Sequence, residues 1–135
     1  MTLIVDASIA VALAIEPGSV NDADRATIGA RGGFVAAHWR LEVSNALTVS
    51  VRRKRMTEAQ RKTALAAFED LNLQVDPEGS ALAFTTLVAL ADKHRLTIYD
   101  AAYLELALRK GLPLATLDGD LRKAAKAEGI ELLPA

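Results

Sequence analysis

Short, uninterrupted apolar runs recur along the chain, and segments with helical periodicity separate them. An uninterrupted run is typical of a parallel β-strand covered on both faces, whereas a strand with one solvated face alternates apolar and polar residues. The runs predict strands at residues 2–5, 34–36, 73–75, 114–117 and 130–133. Strands that alternate with helices predict an α/β fold with a mainly parallel central sheet of four to five strands flanked by helices.

The segments between the strands carry signals for helix starts and ends. Thr57 and Gln60 form a capping-box pattern, and Gly111 stands where a helical pattern ends. Besides a helix after Thr57, helices are predicted at residues 8–14, 20–30, 38–53, 80–94, 98–110 and 121–128. Segment 80–94 has Ala and Leu over much of its helical surface, so we expect it to be well buried.

The composition limits the kinds of site that the chain can form. Its 135 residues suffice for one core, so residues 1–135 are expected to form a single domain. A net charge of −1 argues against a protein that coats nucleic acid, and an aromatic content of 4% argues against one that binds single strands mainly by stacking. The absence of cysteine excludes disulfides and thiolate zinc sites. The N-terminal apolar run lacks the basic segment of a signal peptide, so a cytoplasmic location is expected.

Acidic residues lie where the predicted strands end, which is the edge at which such sheets bind ligands. Asp6 follows the first strand, and Asp118 follows the fourth. Asp100 lies in the first turn of a helix, at the border of a face that should point inward. Glu42 lies one turn into the third helix, and the amide of Asn45, three residues later, is placed to hold its carboxylate.

Each of these acids also has an ordinary explanation when it is taken singly. An aspartate after a strand can cap a helix, an acid in a first turn complements the helix dipole, and a helical glutamate can be solvated. Taken together, however, they would crowd into one crevice. Two carboxylates about 4 Å apart repel by roughly 4 kcal/mol at an effective dielectric near 20, so the cluster needs protons or cations. Oxygen ligands without Cys or His suit a hard ion, which favours Mg²⁺ or Mn²⁺ over structural zinc.

Three segments contain these acids: LIVDASIAVAL, WRLEVSNAL and RLTIYDAAYLELALRKGLPLATLDGDLRKAAK. In their order and spacing they resemble the PIN-domain nucleases, and among these the VapC-type toxins of toxin–antitoxin pairs. The resemblance covers nearly the whole chain, and the C-terminal block is its most specific part. It implies a PIN-like, Rossmann-like sandwich in which helices flank the parallel sheet.

The same resemblance implies an activity and its partners. The family cleaves RNA as an endoribonuclease that depends on Mg²⁺ or Mn²⁺, its toxin members are inhibited by a cognate VapB-type antitoxin, and they commonly form homodimers. The matching residues imply a set of catalytic and metal-binding acids: Asp6, Glu42, Asp100 and Asp118. They also imply supporting hydrogen-bonding residues: Ser8, Asn45 and Thr116.

Several residues near these motifs keep two interpretations. Asp120 precedes Leu121, where a helix cap is the default, and a peripheral contact to metal or water is the alternative. His38 and Trp39 are interpreted as structural rather than as a general base and a stacking platform. The basic run at residues 52–55 suits either RNA phosphates or a solvated helix C-terminus.

Other classes of protein fit the sequence less well. A response-regulator receiver needs a pair of acids after the first strand, where Asp6 stands alone. A haloacid-dehalogenase-like phosphatase needs a second aspartate at the position of Ser8. The alternative that stays open is a catalytically retired PIN-like module that binds RNA or protein. A retired site, however, has no reason to keep like charges together.

Overall fold

A five-stranded parallel sheet forms the centre of the protein in a computed structural model that describes residues 2–135. The strand order is β3-β2-β1-β4-β5, and every neighbouring pair is parallel. The strands are short: β1 (Leu3–Val5), β2 (Gly33–Val35), β3 (Leu73–Val75), β4 (Leu114–Ala115) and β5 (Leu132–Leu133). The predicted α/β class with a parallel sheet of four to five strands is therefore confirmed.

The helices connect successive strands and cover the sheet. Those in the described part of the chain are α1 (Ala7–Ile15), α2 (Asp22–Arg31), α3 (Trp39–Arg52), α4 (Glu58–Glu69), α5 (Val88–His94), α6 (Ile98–Lys110) and α7 (Gly119–Ala127). The predicted capping box is present, because Thr57 Oγ1 accepts from Gln60 N at 3.1 Å while Gln60 Oε1 accepts from Thr57 N at 2.8 Å. Gly111 ends α6 in the left-handed conformation, with φ 63°.

The strand order creates a crevice between β1 and β4. Strands β2 and β3 lie in succession on one side of β1, and β4 and β5 lie in succession on the other side. In parallel sheets, ligands bind outside the carboxyl ends of the strands at the point where the order reverses. Strand β1 lies in the middle of the sheet, with Leu3 and Ile4 wholly buried, and α6 packs directly against it. The residues that follow β1 and β4 therefore face each other across the crevice.

The prediction of one buried helix at residues 80–94 is wrong. This segment consists of a 3₁₀ turn (Gly79–Leu82), a π-helical turn (Ala83–Leu87) and α5. It is also largely exposed, since Phe84 is 96% accessible and Val88 is 41% accessible. Only a narrow strip packs inward against α6. An Ala- and Leu-rich pattern indicates helical backbone, but it does not distinguish a core face from an apolar surface.

Two boundaries near the crevice differ from the prediction by two residues. Strand β4 ends at Ala115 rather than at residue 117, because the backbone N–H of Leu117 donates to the Ser8 hydroxyl at 3.0 Å. Helix α7 begins at Gly119 rather than at residue 121. None of the helices within residues 2–135 is long and apolar enough to span a membrane.

Candidate active site

Asp6 lies at the end of β1 with its side chain buried, and two hydroxyl groups hold its carboxylate. Ser8 Oγ donates to Asp6 Oδ2 at 2.7 Å, and Thr116 Oγ1 donates to the same oxygen at 2.6 Å. Asp6 stands at the N-cap position of α1, yet its side chain makes no capping hydrogen bond, so the ordinary explanation as a helix cap is wrong. Burial raises the pKa of Asp6 most strongly, the two hydroxyl groups lower it, and repulsion from Glu42 adds to the rise.

The same two hydroxyl groups connect β1 to the loop after β4. Ser8 Oγ accepts from Leu117 N at 3.0 Å, and Thr116 Oγ1 accepts from Asp118 N at 3.1 Å. Each hydroxyl thus donates to Asp6 and accepts from the backbone of the loop after β4, Ser8 from across the crevice and Thr116 from within its own loop. This arrangement fixes the Asp6 carboxylate relative to the backbone that carries Asp118.

Glu42 lies in the first turn of α3, and its partners come from outside the expected motif. Tyr103 Oη donates to Glu42 Oε1 at 2.7 Å. His38 Nε2 is 3.1 Å from the same oxygen, although it does not form a hydrogen bond with it. Burial raises the pKa of Glu42, but the contacts with His38 and Tyr103 outweigh it and hold that pKa below its ordinary value.

The structure does not bring Asn45 to Glu42. Asn45 is exposed, and its side chain makes no hydrogen bond within the part of the chain that the structure describes. Spacing three residues apart puts two side chains on the same side of a helix, but the Glu42 carboxylate turns inward to the buried phenol of Tyr103. The expected support of Glu42 by Asn45 is therefore replaced by support from α6.

Asp100 is the acid whose electrostatics are most perturbed. It lies in the first turn of α6, where its N–H donates to Thr97 Oγ1 at 3.1 Å. Burial, followed by the negative charges of Asp118, Asp6 and Glu42, raises the pKa of Asp100 to about 6. The four predicted acids therefore lie near enough to one another to interact, although they come from four separate places in the sequence.

Asp118 is the helix cap at this end of the sheet, and Asp120 is not. Asp118 Oδ2 accepts from Leu121 N at 2.9 Å, so α7 begins one residue after Asp118. Asp120 lies exposed in the first turn of α7. The expectation that Asp120 is the cap is wrong, because Gly119 enters the helix and shifts the cap back to Asp118. Asp118 thus both caps α7 and contributes negative charge to the site.

The donors suit a hard divalent cation, but they do not form a ready-made cage. No group of three His, Asp or Glu side chains among residues 2–135 is arranged so that it could already hold a metal ion. Mg²⁺ does not require such a cage, since it keeps several waters and binds through one or two carboxylates. Burial and three neighbouring carboxylates raise the pKa of Asp100, and no cationic side chain within residues 2–135 is among the groups that lower it. The chemistry of the donor set therefore fits Mg²⁺ or Mn²⁺.

Sequence reasoning missed the role of Tyr103. Its ring lies on the inward face of α6 and is wholly buried. A buried tyrosine needs a partner for its hydroxyl group, and this was the available signal. That partner, Glu42, is 61 positions away along the chain, so the pairing becomes visible only when α3 and α6 are placed side by side.

The other residues with open roles are now located. Trp39 is buried and packs edge-on against Phe68, with ring centroids 6.1 Å apart, which confirms a structural role. The His38 ring packs against Tyr99 and Tyr103. The basic side chains of residues 52–55 are exposed, and none of them forms an ion pair within the described residues.

The order of the parallel strands reverses between β1 and β4, and four acids lie at that edge of the sheet. This arrangement is that of a nuclease-like α/β domain. The family model of the PIN domain matches residues 3–127, and the chain belongs to that family. Over 121 residues the chain is 33% identical to Ribonuclease VapC3 from Pyrobaculum aerophilum, a match that covers 90% of this chain and 92% of that protein. The resemblance inferred from the motifs is confirmed.

Two solved structures have the same fold. The crystal structure of PAE2754 from Pyrobaculum aerophilum matches with a TM-score of 0.72 and 24% identity, over 99% of this chain and 92% of that one. VapC20 from Mycobacterium tuberculosis, described as a toxin that cleaves the sarcin-ricin loop, matches with a TM-score of 0.62 and 21% identity, over 91% and 95%. At these identities the two structures bear on the fold alone.

Proposed function

We propose that the protein is a divalent-metal-dependent endoribonuclease that acts as the toxin of a toxin–antitoxin pair. Membership of the PIN-domain family and the identity to Ribonuclease VapC3 support a ribonuclease of the VapC type. The observation that carries the proposal for this chain is the convergence of four acids from separate parts of the sequence at one edge of the sheet, where burial and three neighbouring carboxylates raise the pKa of Asp100. Such a concentration of charge costs stability and is expected only where a cation is to be bound.

We assign catalysis and metal binding to the same set of acids: Asp6, Glu42, Asp100 and Asp118. A bound Mg²⁺ or Mn²⁺ would neutralise charge on the scissile phosphate and lower the pKa of a coordinated water. Ser8 and Thr116 keep Asp6 in one rotamer, and Tyr103 and His38 do the same for Glu42. No side chain of the protein has to act as a nucleophile, and Asp120 is at most a peripheral contact.

The remaining parts of the proposal concern the setting of the enzyme. Its substrate is RNA, its inhibitor is a cognate VapB-type antitoxin, and the active species is a homodimer in the cytoplasm. Residues 1–135 form one PIN domain, although Met1 lies outside the described residues. The continuous core supports a single domain, since it includes side chains from Leu3 to Leu132 around one sheet.

The substitution Asp6→Asn tests this function. We expect it to abolish cleavage of cellular RNA in the presence of Mg²⁺ or Mn²⁺ and to relieve growth arrest on expression, while the protein stays folded. Asp92→Asn is the matched control, because Asp92 is an exposed aspartate of α5 that makes no ion pair among the described residues. Full activity of the Asp6→Asn protein would refute the assignment.

Calorimetry with Mn²⁺ distinguishes the enzyme from a retired module that only binds RNA or protein. A metal-dependent nuclease should bind Mn²⁺ in the unmodified form and lose that binding on Asp6→Asn substitution. If the unmodified protein binds no divalent cation, the retired module becomes the better interpretation.

A further inference from the structure

A small recess lies beside the acids, at the same edge of the sheet. Its volume is about 150 Å³, and it lies between the loop after β2, the segment after β3 and the first turn of α6. Small and apolar side chains and two rings line it, among them Ala36, Ala83, Leu87, Ala102, His38 and Tyr99. Pockets for whole drug-sized ligands measure about 300–1,000 Å³, so this recess has room for a single flat group.

Of the two rings, that of Tyr99 faces solvent. Tyr99 is 60% accessible, and its ring meets the ring of His38 edge-on, with centroids 5.2 Å apart. The Tyr99 hydroxyl makes no hydrogen bond within residues 2–135. Most of the Tyr99 side chain is thus open to solvent, and an exposed ring held beside a recess suits stacking with a planar ligand.

The recess presents no free charge to an occupant. Asp76 lies at its edge, but Arg109 donates to its carboxylate at 2.7 and 3.2 Å, and Gly79 N donates at 2.8 Å. A phosphate or a cation would find no unpaired charge of opposite sign here. The lining instead suits a neutral, planar group with a polar edge, for which the hydroxyl groups of Ser80 and Tyr99 are available.

The recess adjoins the acids through both of its rings. His38 Nε2 is 3.1 Å from Glu42 Oε1, and Tyr99 directly precedes Asp100. We propose that this recess receives one nucleobase of the RNA, next to the phosphate at which the acids act, and that Tyr99 is the ring on which that base stacks. The proposal rests on the function proposed above.

Measuring RNA binding to a catalytically inactive variant tests this inference directly. In an Asp6→Asn background, one short single-stranded RNA of mixed sequence is compared with a ribose-phosphate strand of equal length that lacks bases. We expect Tyr99→Ala to weaken binding of the RNA about tenfold, as removal of one stacked base does, and to leave binding of the baseless strand unchanged. Tyr99→Trp, which keeps a stacking ring, should restore RNA affinity to within about twofold.

Phe84→Ala is the matched control, because it removes an even more exposed aromatic side chain that does not line the recess. The inference would be overturned if Tyr99→Ala left the RNA affinity of the Asp6→Asn protein unchanged. It would also be overturned if Tyr99→Ala weakened binding of the RNA and of the baseless strand equally. A third contrary outcome is that Tyr99→Ala changes the oligomeric state of the protein and leaves its RNA affinity unchanged, since this face would then be a contact between protein copies. The ribonuclease function is tested separately, by comparing RNA cleavage by the unmodified protein with that by the Asp6→Asn protein.

Discussion

At the level of single residues, the phenol of Tyr103 connects two elements of the site. Its hydrogen bond of 2.7 Å to Glu42 joins α6 to α3, and its ring is wholly buried. We expect Tyr103→Phe to lower RNA cleavage about tenfold and to reduce the free energy of unfolding by about 1 kcal/mol, the usual contribution of one hydrogen bond. Cleavage rates and urea unfolding measure the two effects separately. A full cleavage rate for the Phe variant would show that Glu42 needs no support from α6.

Asp118 has two roles that different substitutions separate. Asparagine can still accept from Leu121 N, so Asp118→Asn should keep the cap and lose the charge, whereas Asp118→Ala should lose both. We expect both variants to lose RNA cleavage, and only the Ala variant to lose about 1 kcal/mol in urea unfolding. Asp120→Asn is the neighbouring control and should change neither. Normal cleavage by Asp118→Asn would remove Asp118 from the set of catalytic acids.

The residues at this edge were predictable to different degrees. Asp6 and Thr116 could be expected to lie close together once their strands were taken as parallel strands that end at one edge. The partner of Glu42 could not be expected, because it depends on how α3 and α6 are oriented rather than on spacing along one helix. The cap of α7 was misassigned for a local reason, since the sequence allows either of two aspartates that flank Gly119.

At the level of elements, a buried ion pair fixes the end of β3 to α6. Asp76 is 3% accessible and accepts from Arg109 and from Gly79 N. Burial raises the pKa of Asp76, but these donors outweigh it and hold that pKa below its ordinary value. The folded state therefore favours the ionised form of Asp76. Its ionisation stabilises the protein at pH values above the unfolded pKa of about 3.9, and this stabilisation is lost as the pH falls through the lower pKa of Asp76 in the folded protein.

The substitution Asp76→Asn tests this account. At neutral pH we expect it to lower the free energy of unfolding by about 2 kcal/mol, since hydrogen bonds to a charged group are lost. As the pH falls through the lowered pKa of folded Asp76, the aspartate of the unmodified protein also becomes protonated and the difference should shrink. Urea unfolding of both proteins at several pH values measures the change. A difference that stays constant with pH would show that the charge of Asp76 does not contribute.

The elements themselves show where pattern reasoning succeeds. Helix α6 has the predicted bounds because apolar periodicity and a terminal glycine agree, and the structure adds Thr97 as its N-cap. Segment 80–94 was misjudged because hydrophobicity alone indicated burial, whereas only a narrow strip packs against α6. The exposed side chains of that segment belong to the surface that also carries the recess beside Tyr99.

At the level of the whole molecule, the class of fold was predictable and the strand order was not. Apolar runs and helical segments are local properties, so their alternation indicates a parallel sheet before any contact is known. The order β3-β2-β1-β4-β5 depends on which edge each crossover joins, and the sequence carries no local signal for it. That order nevertheless determines the site, because it brings the ends of β1 and β4 together.

The concentration of charge at that site should make the folded protein less stable without a cation. Asp100 is repelled by Asp118, Asp6 and Glu42, so Asp100→Asn should raise the free energy of unfolding in chelator by roughly 1 kcal/mol. Mn²⁺ binds only the folded state in the simplest case, so it should raise the thermal midpoint of the unmodified protein and leave that of Asp100→Asn nearly unchanged. Thermal unfolding of both proteins with chelator and with Mn²⁺ measures all four midpoints. If Mn²⁺ raised the thermal midpoint of both proteins equally, the cation would bind elsewhere, and the repulsion among the four acids would be unrelated to metal binding.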